Sequence, residues 1–108
     1  MVEAIVRKLF ASPAWKSTAL FITYDENGGL ADHVPPEPAC EPDDYPAHGE
    51  AGKTFEGKFD HTGFRVPFTL VSPYARSHYV SHTVFDHTSI TRFIQARFGL
   101  PALTARDA

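Results

Sequence analysis

A stretch of 39 residues without regular periodicity, residues 25–63, constrains this 108-residue chain more than any other feature. It holds six of the seven glycines and five of the nine prolines, which favour turns over helices and strands. Loops of this length are uncommon in compact domains and are usually either functional or disordered. The sequence therefore predicts one long loop, which is a candidate to carry functional residues.

A helix and a strand are predicted ahead of the loop. Apolar residues at positions 2, 5, 6, 9 and 10 have the spacing of an amphipathic helix, which Pro13 is expected to end near Ser12. Residues 18–24 are apolar at consecutive rather than alternate positions. This pattern is typical of a strand buried on both faces of a parallel sheet.

A second strand and a second helix are predicted after the loop. Residues 65–72 form another apolar run, ended by Pro73. A helix is predicted from about Thr88, with Asp86 as its N-cap and Gly99 as its C-cap. The order helix, strand, long loop, strand, helix indicates the α/β class. Because two strands alone cannot form a stable parallel sheet with covered faces, the chain is expected to be a piece of a larger domain.

Charge and hydropathy exclude several classes of function. The net charge of −3 gives no electrostatic reason to expect a nucleic-acid partner. The longest strongly apolar stretch, residues 19–22, is far shorter than the roughly 20 residues of a transmembrane helix. The loop itself carries ten acidic and two basic residues, so it either attracts a cation or is simply a solvated segment.

Two neighbouring acids, Asp25 and Glu26, follow the first predicted strand and precede a Gly-Gly pair. Ligands of open α/β sheets bind beyond the carboxyl ends of strands, and a glycine turn can bring both carboxylates to one point. Oxygen ligands suit Mg²⁺, Ca²⁺ or Mn²⁺, and a nearby histidine such as His33 would also permit Zn²⁺ or Fe. The alternative is structural, with the two acids capping a helix or pairing with an arginine such as Arg65.

Ser72, at the end of the second predicted strand, invites a serine-hydrolase interpretation with His87 and Asp25. A nucleophile elbow needs glycines on both sides and an amide hydrogen on the residue after the serine. Here that residue is Pro73, which has no amide hydrogen. Ser72 is therefore predicted to be a strand-end residue. For His87 itself, a partly buried imidazole beside the N-cap is the structural alternative to a functional role.

Two motifs together resemble a known family. They are DENGGLADHVPP at residues 25–36 and GFRVPFTLVSPY at residues 63–74. With the flanking segments WKSTAL, FDHTSI and RFI, they resemble the bacterial phosphoesterase family, which includes non-specific phospholipases C and the acid phosphatase A group. The resemblance covers nearly the whole chain.

The resemblance implies an alkaline-phosphatase-like α/β/α fold and metal-assisted hydrolysis of phosphate esters through a covalent phospho-enzyme. Asp25 and Glu26 match the pair that ligates the metal, whose identity is left open among Ca, Mg, Mn, Zn and Fe. Asp32 and His33 match the same motif, with His33 holding a phosphate oxygen or protonating the leaving group and Asp32 orienting it. His87 is the third catalytic candidate.

The family's first motif, of Glu-Asn-Arg-Ser-Phe-Asp type, and its Ser or Thr nucleophile are absent from this sequence. The resemblance therefore implies that residues 1–108 are the C-terminal portion of the catalytic domain, inactive alone, with the rest of that domain N-terminal to it. The alternative is a non-catalytic remnant or small binding module that keeps the scaffold. The substrate is expected to be a phospholipid or another phosphate ester. Relatives are commonly exported, which is compatible with a periplasmic or secreted parent.

Overall fold

The chain divides into two units, each built from two separate stretches of sequence. The first comprises residues 1–26 and 66–82, and the second residues 27–65 and 83–108. This division is seen in a computed structural model, which describes residues 1–45, 47–48, 53–55 and 57–108. In chain order the elements are α1 (Val2–Phe10), a 3₁₀ helix (Pro13–Ser17), β1 (Leu20–Thr23), β2 (Ala47–His48), β3 (Thr54–Phe55), β4 (Phe68–Val71), α2 (His87–Phe98) and a 3₁₀ helix (Ala105–Asp107).

The first unit pairs β1 with β4, and the pairing is antiparallel. The register places Leu20 opposite Val71 and Thr23 opposite Phe68. The expectation of a parallel arrangement was therefore wrong. Parallel neighbours need a crossover that returns the chain to the end where it started, usually through a helix. The described residues between β1 and β4 contain no helix, and the chain enters β4 at the end where it left β1.

Burial in this sheet also departs from the expectation. The side chains of β1 are half-buried, whereas Phe68 and Leu70 of β4 are 44% and 41% exposed. Among the residues that the structure describes, no hydrophobic side chain is fully buried. The consecutive apolar pattern correctly indicated strands, but the described elements of this unit are too few to cover both faces of the sheet.

The predicted loop contains more structure than its sequence pattern suggested. Strands β2 and β3 form a short antiparallel pair, with Ala47 opposite Phe55, and a single bridge joins Pro38 to His61. Strands of two residues are too short to leave a periodic signal in a sequence. The parts of the predicted loop at residues 46, 49–52 and 56 lie outside the described residues.

Helix α2 begins and ends where its local signals predicted. Asp86 is the N-cap, and its carboxylate accepts hydrogen bonds from the amides of Thr88 and Ser89. Gly99 follows the helix with φ 66° and ψ 34°, a left-handed conformation that glycine adopts without steric cost. Helix α1 is likewise confirmed at Val2–Phe10, before Pro13.

The end of the chain is tied to the loop within the second unit. The Arg106 guanidinium donates hydrogen bonds to the carbonyls of Cys40 and Phe59, and the Ala105 amide donates one of 2.8 Å to the Pro42 carbonyl. These bonds connect residues 105–106 to the loop at Cys40, Pro42 and Phe59. In the described part of the chain, no helix is both long and apolar enough to cross a membrane.

Candidate functional site

The neighbouring acids Asp25 and Glu26 lie just beyond the end of β1, in the first unit. Both are exposed, and among the described residues neither carboxylate takes part in a hydrogen bond or an ion pair. The chain then turns through Gly28 and Gly29, whose φ angles of 64° and 77° are left-handed and favour glycine. The glycine turn expected after the acids is therefore confirmed.

The structural alternative paired these acids with an arginine such as Arg65. The structure does not show that pairing. Arg65 binds Asp32 instead, and both residues belong to the second unit. Its Nε lies 2.7 Å from Asp32 Oδ2 and its Nη2 lies 2.8 Å from Asp32 Oδ1, which is a bidentate ion pair. The Arg65 backbone amide donates a third hydrogen bond, of 3.2 Å, to Oδ2.

The electrostatics of this pair follow from the geometry. Hydrogen bonds from the Arg65 side chain, and then from the Val34 amide, hold the pKa of Asp32 well below its usual range, although partial burial acts in the opposite direction. The Asp32 carboxylate in turn raises the pKa of Arg65. Asp32 is thus ionised at any pH near neutrality, and both of its oxygens are occupied.

His33 lies next to this ion pair in sequence but makes no hydrogen bond with it. Its Nδ1 is 3.8 Å from Asp32 Oδ1, beyond hydrogen-bond distance, and its side chain is 88% exposed. His87, the third candidate, is exposed at the first position of α2. The three catalytic candidates all belong to the second unit: Asp32, His33 and His87. The two metal-ligand candidates, Asp25 and Glu26, belong to the first.

Ser72 has the structural role that its sequence predicted. Its hydroxyl donates a hydrogen bond of 2.9 Å to the Thr18 carbonyl and accepts one of 3.2 Å from the Tyr74 amide. The Tyr74 hydroxyl reaches the Lys16 carbonyl at 2.9 Å. The segment after β4 is in this way fastened to the segment before β1, and the serine hydroxyl is engaged in that attachment.

Comparison with known proteins decides the family. The model of the Phosphoesterase family matches residues 1–101. The chain belongs to the phosphoesterase family. This assignment confirms the resemblance found in the two motifs.

Curated relatives of this phosphoesterase chain carry phospholipase C names. Phospholipase C B of Mycobacterium tuberculosis is 45% identical over 121 residues, a match that covers all of this chain and 22% of that protein. Non-hemolytic phospholipase C of Burkholderia pseudomallei is 42% identical over 90% of this chain and 15% of its own length. Non-specific phospholipase C1 of Arabidopsis thaliana is 38% identical over 99% of this chain and 22% of its own length. The chain thus spans about a fifth of the length of these relatives.

The described residues of this phosphoesterase chain do not by themselves assemble a metal site. No group of three or more His, Cys, Asp or Glu side chains among them is placed to hold an ion. Asp25 and Glu26 could supply two oxygen ligands, and an octahedral or higher coordination shell would need others.

Two features of the second unit were not identified from the sequence as functional. Arg65 was interpreted first as a structural residue or a partner of the acids, because nothing in a sequence specifies which of ten loop carboxylates an arginine reaches. A groove of about 540 Å³ lies along the first turns of α2, and four of its lining residues are Asp86, Arg92, Phe93 and Arg106. None of the candidate site residues lines this groove.

Proposed function

We propose that the chain supplies the carboxylate part of a divalent-metal centre in a hydrolase acting on phosphoric ester bonds. The observation that carries this proposal is the pair Asp25 and Glu26, which open the DENGGLADHVPP motif. They are adjacent, exposed and unpartnered among the described residues, just beyond β1. The names of the relatives favour phospholipid esters as substrates, and soluble phosphate monoesters are the alternative. We propose that the segment is the C-terminal portion of an alkaline-phosphatase-like α/β/α domain.

The donor chemistry fits a hard divalent cation. Two ionised carboxylates side by side repel each other unless a positive charge is near, and oxygen donors suit Mg²⁺, Ca²⁺ or Mn²⁺. Zn²⁺ or Fe would require nitrogen donors in addition. When bound, such an ion polarises a phosphoryl oxygen and supports a hydroxyl nucleophile near neutral pH. The remaining ligands and the nucleophile are assigned to the part of the domain N-terminal to this segment, so the isolated chain is expected to be inactive.

His33 is the residue of this chain best suited to proton chemistry. Its imidazole is 88% exposed and can donate an N–H to a phosphoryl oxygen or a proton to a leaving-group oxygen. Asp32 cannot also accept the imidazole N–H without giving up a bond to Arg65 or Val34. We therefore assign Asp32 an indirect role, through the backbone that carries His33. His87 is proposed as a second N–H donor.

Metal binding by the full chain tests the carboxylate assignment. Isothermal titration calorimetry with Mg²⁺, Ca²⁺, Mn²⁺ and Zn²⁺ is expected to give weak binding, which the variant Asp25→Asn/Glu26→Gln abolishes. The matched control is Asp43→Asn/Asp44→Asn, which removes the same charge from another adjacent pair in the acidic loop. Equal loss in both double variants would mean that the ions bind only to the overall negative charge, and the assignment would be wrong.

Hydrolysis is tested by replacing the matching segment of the Mycobacterium tuberculosis phospholipase C B with residues 1–108. The hybrid is expected to hydrolyse a phosphate ester bond of a phospholipid or of a chromogenic phosphate ester, and Asp25→Asn/Glu26→Gln is expected to abolish that hydrolysis. A folded but inactive hybrid would favour the second candidate, a non-catalytic remnant of the family scaffold.

A further inference from the structure

We propose that Arg65 is a positioning residue, which fixes the Asp32 carboxylate and through it the backbone turn that presents His33. This inference rests on the proposed function, because it assigns Arg65 a part in the role given to His33. The two residues of the pair lie 33 positions apart in the chain, and the structure joins them through a bidentate ion pair. Arg65 itself is not proposed to touch the substrate.

The turn around His33 is closed by Asp32. Asp32 Oδ1 accepts a hydrogen bond of 3.0 Å from the Val34 amide, two residues ahead, which is the geometry of an Asx-turn with His33 at its centre. The position of the His33 backbone therefore depends on where the Asp32 carboxylate is held.

Arg65 holds that carboxylate from outside the turn. From the described residues, Asp32 accepts four hydrogen bonds, one from Val34 and three from Arg65, counting the Arg65 backbone amide. The Asp32 side chain is only 9% exposed, whereas the His33 side chain beside it is 88% exposed. One residue of the turn is thus anchored and the next projects its imidazole into solvent, which is the arrangement expected of a presented functional group.

The planar guanidinium is suited to this task in a way that an ammonium group is not. It gives two parallel N–H donors in a fixed geometry that matches both oxygens of a carboxylate, whereas lysine offers a single point charge. Arg65→Lys should therefore keep the charge and lose the orientation of the turn. A role confined to charge balance would tolerate this substitution.

The test is an NMR comparison of the full chain with its Arg65→Lys and Asp32→Asn variants, with inorganic phosphate as the probe. Two quantities are measured: hydrogen-exchange protection of the Val34 amide, and the phosphate-induced shift of the His33 ring resonances. We expect each variant to lose at least about tenfold in Val34 protection and in apparent phosphate affinity at His33. The double variant should lose little more than either single one, since both break the same contact.

The matched control is Arg97→Lys, which changes an arginine of the same unit that lies over the Phe98 ring, 5.3 Å from its centroid. It should leave both quantities unchanged. Unchanged Val34 protection in Arg65→Lys would overturn the inference, and so would a lost turn with an unaltered His33 response to phosphate. A third outcome would be that Val34 protection depends on Arg65 but wild-type His33 shows no response to phosphate. In that case the proposed function of His33 is wrong, and Arg65 holds the turn without a functional role.

A rescue experiment separates positioning from a general loss of folding. Arg65→Ala with added ethylguanidinium should recover the phosphate response of His33, because the free ion can occupy the vacated place beside Asp32. Ethylammonium at the same concentration should not. Equal recovery with both ions would reduce the role of Arg65 to its charge and would overturn the inference.

Discussion

The side-chain amide of Gln95 donates a hydrogen bond to the carboxylate of Asp107, and both side chains are buried in the second unit. Asp107 also accepts hydrogen bonds from the amides of Leu103 and Thr104, at 3.1 and 2.7 Å. The hydrogen bond from the Thr104 hydroxyl is the main reason why the pKa of Asp107 lies below its usual range. One carboxylate thus fastens the end of the chain to the third turn of α2.

Replacing Gln95 by glutamate should test this attachment sharply. Gln95→Glu places a second carboxylate against Asp107, and two buried like charges repel each other. The urea midpoint for loss of helix, followed by circular dichroism at pH 7, should fall more than in Gln95→Met, which removes only one hydrogen bond and is expected to lose about 1–2 kcal/mol.

The effect of pH separates repulsion from lost packing. At pH 4, the introduced carboxyl group can take up a proton and donate a hydrogen bond to Asp107, so Gln95→Glu should regain stability relative to Gln95→Met. Equal losses for the two variants at both pH values would show that Asp107 contributes no charge to this contact.

The N-cap of α2 is a second local feature with a measurable contribution. Asp86 Oδ1 accepts hydrogen bonds from the amides of Thr88 and Ser89, at 2.9 and 3.2 Å, and the Ser89 hydroxyl accepts one from the Asp86 amide. Asp86→Ala should destabilise the helix by about 0.5–2 kcal/mol, whereas Asp86→Asn should retain most of that contribution. Thermal unfolding followed by circular dichroism measures both, and similar melting of the two variants would contradict the assigned cap.

The features predicted from the sequence are those encoded by neighbouring residues. Helix α2 was located from Asp86 and Gly99, because capping depends on atoms within one turn of the cap. The antiparallel direction of β4 relative to β1 was not predicted, because it depends on the path of the long segment between the two strands. The strands β2 and β3 are too short to produce a periodic pattern.

The same distinction applies to the candidate site. Asp25 and Glu26 were singled out as candidates from their place after an apolar run and before two glycines, which is a local pattern. The ion pair of Asp32 with Arg65 was missed, because any of several loop carboxylates could have reached that guanidinium. Long-range pairing of charged side chains is specified by the fold and leaves no spacing rule in the sequence.

Ser72 provides a prediction about the rejected hydrolase mechanism. Since its hydroxyl donates to the Thr18 carbonyl and accepts from the Tyr74 amide, Ser72→Ala should destabilise the first unit by about 0.5–1.5 kcal/mol. The same change should leave the phosphoesterase activity of the hybrid enzyme intact. A fluorophosphonate probe, which reacts with nucleophilic serines, should not label the wild-type chain. Labelling of the wild type that is lost in Ser72→Ala would show that Ser72 is a nucleophile and would contradict this prediction.

The pH dependence of the second unit should reveal the ion pair between Asp32 and Arg65. The folded-state pKa of Asp32 lies below its ordinary value, so its stabilising contribution is fully present above the ordinary carboxyl pKa of about 4 and is lost as the pH falls below it. The Asp60 and Asp107 carboxyls, whose pKa values are also lowered, act in the same direction, so only a comparison with Asp32→Asn isolates the pair.

That comparison has a definite expected result. At pH 6 the wild-type chain should have a higher urea midpoint than Asp32→Asn, and the difference should shrink steadily between about pH 4 and pH 2.5, where the unfolded chain takes up a proton at Asp32. Asp44→Asn is the matched control, because Asp44 has no hydrogen bond or ion pair among the described residues, and it should change the midpoint little at any pH. A difference between wild type and Asp32→Asn that stays constant over this range would mean that the carboxylate charge does not stabilise the turn, and that Arg65 binds it with no net effect on folding.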